Sequence, residues 1–276
     1  GMVGLARADS GSVGEQALEA HRANRDLSGA ARTLINLGVG AYYESRWTEA
    51  AQHYVEAIDA AERAGSVVLR AGAALNSAEI LCDQGHWSRS LSFFDDAIRN
   101  YEAVGYPVGI AAARLYSAVA AMRLGDASAA SVHLESARSS ITRLGLDLVD
   151  DLESRALELA LLEGTVDVSA AQRFHERLAD GHPLQARAAR CLALSLYGAA
   201  DHDEALRVID HQLEIDDLGG FEHALTRLAR LRIDPTGPTA ATHRAEVTEA
   251  FAQLGVVQAP PFVQSDLVFS ATTPRT

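Results

Sequence analysis

The chain has 276 residues, 48% of them hydrophobic and only 6% aromatic, so one or two cores can be built mainly from Ala and Leu. A formal net charge of −13 repels phosphate backbones and argues against nucleic acid as a partner. Every basic side chain is Arg, which removes any phosphate-loop or Schiff-base lysine, and two isolated cysteines, Cys82 and Cys191, do not make a disulfide framework.

Gly1 ahead of Met2 reads as a tag-cleavage scar. Residues 1–27 are expected to hold that scar, a flexible segment and a lone capping helix over 15–26, whose Ala17 matches a column of the units that follow. Residues 28–146 carry the strongest signal. Blocks beginning at Ala31, Ala71 and Ala111 align without a gap at a period of 40 residues. A small-residue column reads Gly38, Ala78, Ala118, and a turn column reads Ser45, Gly85, Gly125. Trp47, Trp87 and Ala127 follow, then Ala50, Ser90, Ala130, then Tyr54, Phe94, Leu134, then Ala57, Ala97, Ala137. Each block closes on a glycine, at Gly65, Gly105 and Gly145. Such a block is a helical hairpin: small residues let its two helices approach, and the Tyr54 column fills the space between neighbouring hairpins. One hairpin cannot bury its apolar face alone, so the hairpins must stack.

Residues 147–256 continue the pattern in degenerate form. A fourth unit keeps Ala170 and Phe174 but has Arg177 at a small-residue position, and stops at Asp180-Gly181-His182-Pro183. A fifth starts at Leu184 with Ala193, Ala205 and Ile209 in the packing columns. A sixth is predicted from helices over 221–233 and 240–254. After Ala259-Pro260-Pro261 the chain is expected to be extended or disordered, so residues 257–276 form a tail. Its apolar stretch 262–269 could occupy the protein's own binding groove. No apolar run approaches the roughly 18 residues that cross a bilayer. The setting read from this and from the cysteines is cytoplasmic.

Written out as LINLGVGAYYESRWTEAAQHYVEA, the first block resembles a tetratricopeptide repeat through Leu34, Leu37, Gly38, Trp47, Ala50, Tyr54 and Ala57. The family's usual period is about 34 residues. The extra residues should lengthen the helices by roughly 9 Å at about 1.5 Å per residue. Long units of this kind are similar to those in the sensor regions of bacterial regulatory ATPases and transcriptional regulators. The resemblance implies an all-α solenoid of antiparallel helical hairpins, about five to six units, whose first helices line a concave groove.

It also implies a non-catalytic module that binds a protein or peptide in that groove. Asn36 and Asn76 repeat at the 40-residue period, with Tyr116 in the third place. A row of side-chain amides can pair with an extended peptide backbone whatever its sequence. Tyr42, Tyr43 and Arg123 flank that row and complete the expected partner-binding set. A clamp for a terminal carboxylate is not met, because lysine is absent and Ile35 and Val39 stand where polar contacts belong. The amides equally serve as local helix-to-helix bonds. Alternative readings are a self-assembling scaffold, possible as a homodimer, and last a small-molecule sensor or hydrolase.

Catalytic chemistry is not expected. No HExxH or paired Cys-x-x-Cys spacing appears, His175-Glu176 lacks a second histidine at helical offset, and His202 falls in a turn. No metal and no cofactor is anticipated. Trp47 and Trp87, which could be taken for ligand-stacking rings, fit structural packing after the inter-helix turn.

Overall fold

In the computed structural model the described residues are 2–178, 182–215 and 220–263, with side chains of 2–11 and 262 left aside. They form thirteen α-helices and a short 3-10 turn: α1 (Met2–Ala23), α2 (Leu27–Tyr43), α3 (Trp47–Arg63), α4 (Val67–Asp83), α5 (Trp87–Ala103), α6 (Pro107–Arg123), α7 (Ala127–Leu144), α8 (Val149–Glu163), α9 (Val168–Arg177), α10 (Gln185–Gly198), α11 (His202–Ile215), α12 (Gly220–Ile233), α13 (Ala240–Leu254) and the turn Pro261–Val263. No strand occurs among them.

The 40-residue period is visible in the backbone. Helices α2, α4 and α6 start at 27, 67 and 107 and are each 17 residues long. Where the chain leaves a helix it turns through a left-handed residue: Arg25, Gly65, Gly105 and Gly145 between hairpins, Ser45, Gly85 and Gly125 within them. Three of the helices that follow are capped by a side chain, α2 by Asp26 accepting from the Gly29 N–H, α4 by Ser66 from Leu69 and α7 by Asp126 from Ala129.

Each hairpin packs on the next, and the first helices also pack in sequence, α2 on α4, α4 on α6, α6 on α8, α8 on α10 and α10 on α12. They make one continuous inner wall, with the second helices outside it. The protein is an all-α solenoid of stacked hairpins. At the first step the wall needs a residue without a side chain. A Cβ on Gly38 would stand 2.4 Å from the Tyr54 ring, so the glycine admits the tyrosine, which is 1% exposed. Phe94 and Leu134 are likewise buried, with Ala78 and Ala118 in the glycine's column.

The solenoid curls until its ends meet. The Trp47 ring lies 5.9 Å from Tyr42 and parallel to it, and 5.0 Å from Phe221 at the start of α12. Its indole N–H donates to the Tyr42 carbonyl. The Gln84 amide donates to the Leu254 carbonyl at 2.9 Å, and the Val257 N–H donates back to the Gln84 carbonyl at 2.8 Å. Trp47, Tyr54 and Ile80 consequently share one apolar cluster with Phe221, Phe251 and Val263.

The start of the tail, as far as Val263, is docked against the rest of the chain. Val256, Ala259 and Val263 are buried, because the chain crosses the α4–α5 turn and its last turn packs on α8 and α12. The remainder of the stretch once expected to fill the groove, 264–269, and the Phe262 side chain fall outside the described residues.

Two substitutions probe the closure. Gly85 has φ +95°, and a Cβ there would lie 2.8 Å from the Gln258 backbone, whereas Gly105 at φ +65° faces open space. Gly105→Ala should therefore cost only the left-handed strain, about 1–2 kcal/mol, and Gly85→Ala clearly more, as read from paired urea melts. Trp47→Ala should cost on the order of 3 kcal/mol for a ring only 4% exposed.

Candidate functional site

The curled inner wall encloses a cavity of about 290 Å³ to which all six first helices contribute. Tyr42 and Tyr43 come from α2, Glu79 from α4, Leu115 and Tyr116 from α6. Asp151 and Arg155 come from α8, Arg187 from α10, and Phe221 and Glu222 from α12. Leu148 and Leu184 add apolar wall, and Trp47 closes one side. Behind it lies a small recess lined by Cys82, Asp83, Arg123, Glu158 and Arg190.

Charge in this region is arranged in pairs. Arg123 donates to Asp83 at 2.5 Å, and the Tyr42 hydroxyl donates to the other Asp83 oxygen, also at 2.5 Å. Arg155 binds Glu158 at 2.7 Å and Arg190 binds Glu222 at 2.5 Å. Arg190 donates as well to the Thr226 hydroxyl and the Glu222 carbonyl. Arg187 is held more loosely, with Glu158 and Glu222 at 3.7 Å and Asp151 at 3.9 Å, and its Nε has no hydrogen-bond partner. Burial works against ionising Glu222, but Arg190 and Arg187 outweigh it and bring its pKa down to about 2. Burial also opposes ionisation of Glu158, and Arg155 and Arg187 still hold its pKa below the ordinary value.

Glu79 is the exception. No cation lies within ion-pair distance of it among the described residues, and the neighbouring Tyr116 hydroxyl favours its ionised form less than burial opposes it. Burial, followed by the nearby Asp83 charge, pushes its pKa up to about 8. The carboxyl is thus mostly protonated at neutral pH. Burial, joined by these carboxylates, lifts the Tyr42 and Tyr116 hydroxyls well above their usual range, so both stay neutral donors.

Of the six residues anticipated as a partner-binding set, the structure brings Tyr42, Tyr43 and Tyr116 together on the cavity wall. Arg123 is 5% exposed in the recess behind and bonded to Asp83, so it acts within the wall and is not on its surface. Asn36 and Asn76 line neither space. Asn36 is exposed, seven residues or about 10 Å before Tyr43 on the same helix. Asn76 is half-buried, close to Tyr54 on α3. The expected amide row is displaced because the cavity forms towards the C-terminal ends of α2 and α4, beyond both amides.

Arg155, Glu158, Arg187, Arg190 and Glu222 were not anticipated. Their available signal was charge three residues apart on an inner helix, Arg155 with Glu158 and Arg187 with Arg190. Trp47 and Trp87 are 4% and 6% exposed, as packing residues are, although Trp47 also borders the cavity. Both thiols are buried, which raises their pKa, that of Cys191 to about 12. Among the described residues no three His, Cys, Asp or Glu side chains are grouped to hold a metal ion, and no helix is long and apolar enough to cross a membrane.

Fold and cavity together define a helical-repeat protein of the solenoid type whose inner wall closes around a charged, aromatic chamber. No family model matches the chain, and no curated protein matches it.

A carboxyl whose pKa is raised on folding stabilises the fold less as pH rises from its unfolded value, 4.5, to its folded value, about 8. Glu79→Gln mimics the protonated form and removes that dependence. The variant should match the parent in melting temperature near pH 4.5 and exceed it increasingly towards pH 8. Parallel melting curves at every pH would show that Glu79 does not titrate this way.

Proposed function

We propose that this chain is a non-catalytic interaction module of the tetratricopeptide type, and that its central cavity receives the end of a partner polypeptide. The convergence of all six first helices on one chamber carries the reading. At about 290 Å³ the chamber is at the small end of ligand pockets, which run from about 300 to 1,000 Å³. It suits a chain terminus or one or two side chains better than a continuous extended strand. Tyr43, 56% exposed at its edge, offers the amphipathic surface that binding sites favour.

Support for the tetratricopeptide type lies in the columns at Gly38, Trp47, Ala50, Tyr54 and Ala57 and their repetition at 40 residues. The resemblance of these long units to bacterial sensor regions supports a regulatory role in a bacterial cytoplasm, and two free, buried cysteines agree with a reducing compartment. The charge of −13 disfavours nucleic acid. Ligand holding is favoured over turnover because nearly every charged group around the chamber is committed to another, and neither thiol is poised as a nucleophile. A second reading, a sensor of a free small molecule, is favoured by the enclosure itself, which fits a compact ligand as well as a chain end.

Ala112 lines the chamber and is half-buried. Panning a displayed random-peptide library against the parent and Ala112→Trp tests the reading, with melting temperature confirming that the variant folds. Peptides enriched on the parent should lose at least tenfold in affinity for the filled variant. Equal binding to both, or no enrichment, would remove the chamber as a peptide site. Should Ala112→Trp not fold, Tyr43→Ala serves the same comparison.

A further inference from the structure

We infer that the chamber recognises a protonated amino group attached to an apolar body, with Glu79 as the counter-charge. This rests on the chamber being the binding site, and it names the ligand chemistry. The α-amino terminus of a peptide and a free small amine share that chemistry.

Four guanidiniums, Arg123, Arg155, Arg187 and Arg190, stand among five carboxyls, Glu79, Asp83, Asp151, Glu158 and Glu222. Each guanidinium already has a carboxylate within 4.0 Å. Glu79 is the carboxyl left over. An anionic ligand would have to displace a carboxylate from its arginine, at the cost of leaving a buried charge unpaired. A cation has a partner waiting.

The surroundings of Glu79 fit a small ammonium. Tyr42 and Tyr43 from α2 and Tyr116 from α6 line the chamber with it, and Tyr54 from α3 lies behind them, near enough to feel its charge. Acidic neighbours are Asp83 on its own helix, with Asp151 and Glu222 across the chamber. The facing cations are Arg155 and Arg187, which act on it at a distance without an ion pair. Aromatic rings attract cations, and Tyr43, Trp47 and Phe221 line the chamber beside the apolar wall of Leu115, Leu148 and Leu184.

Binding has a proton balance. In the empty chamber Glu79 is held mostly as the neutral acid, its pKa raised to about 8. An arriving ammonium favours the carboxylate, so the carboxyl O–H bond breaks, the proton passes to buffer, and an ammonium–carboxylate pair remains. No covalent bond to the ligand forms. Affinity should therefore climb with pH, by up to about tenfold per unit, until about pH 8. It should fall again only when the ligand amine loses its own proton.

Calorimetric titration of the full chain tests this with four probes: 2-phenylethylamine, 3-phenylpropionate as its counterpart of opposite charge, and phenylalanyl-alanine amide with a free or an acetylated terminus. Measurement in two buffers of different ionisation enthalpy counts the protons released. The amine and the free-terminus peptide should bind with net proton release at pH 7, and the acid and the acetylated peptide should not. Glu79→Gln should weaken binding at least tenfold and abolish proton release without lowering the melting temperature. If the free-terminus peptide binds more tightly than the amine, the natural source is a chain end, and the reverse order assigns a free amine. Preference for 3-phenylpropionate, which would implicate the loosely held Arg187, overturns the ammonium assignment, as does unchanged affinity in Glu79→Gln. Silence from all four probes also overturns it. The library comparison with Ala112→Trp then shows separately whether the chamber binds peptides at all.

Discussion

The contact of Trp47 with Phe221 holds the two ends of the repeat array together. Without it the six first helices would be an open wall, and the groups they carry would face bulk water. With it, and with Gln84 bonded to Leu254 and Val257, the wall becomes a chamber of about 290 Å³. An array held only by nearest-neighbour interfaces would gain stability roughly unit by unit. Joining first hairpin to last adds a contact that no single unit can make and ties the end units' fates together.

Closure also changes the electrostatics. Charges on an open concave face interact through water and are screened within about 8–10 Å. Inside the chamber they act at lower effective dielectric, so pairing becomes close to obligatory. Arg123 with Asp83, Arg155 with Glu158 and Arg190 with Glu222 satisfy that demand. Glu79 cannot, and it meets the demand by keeping its proton. The unusual acid results from burial in the chamber together with the charge of Asp83 one turn away on α4.

Much of the architecture was legible in the residues. Helix boundaries in the first three hairpins follow from glycine, serine and capping residues repeated at fixed spacing, and from a column in which Gly38 leaves room for Tyr54. Legibility fades where that chemistry is replaced: Arg25 and Ala200 take left-handed turns without being glycine, and the fourth hairpin has a second helix of only ten residues. The site was harder to read. Tyr42, Tyr43 and Tyr116 could be found because they stand at fixed positions of regular blocks, although the residue type at each position changes from block to block. Arg187 and Glu222 could not, since they belong to irregular units brought near by curling. Asn36 and Asn76 lie off the chamber for the same reason: a repeat tells which residues share a face, but where along that face the ends meet depends on residues 170 apart.

The outer columns treat the units as equivalent, whereas the inner columns do not. Where the second block has Glu79 and Asp83, the first has Val39 and Tyr43 and the third has Val119 and Arg123. Neighbouring blocks could trade places with their stacking residues still in register, yet the chamber would lose its spare acid or gain a bare guanidinium. Modularity in this protein stops at the inner wall: the blocks are interchangeable as masonry, and each is unique as a component of the room they enclose.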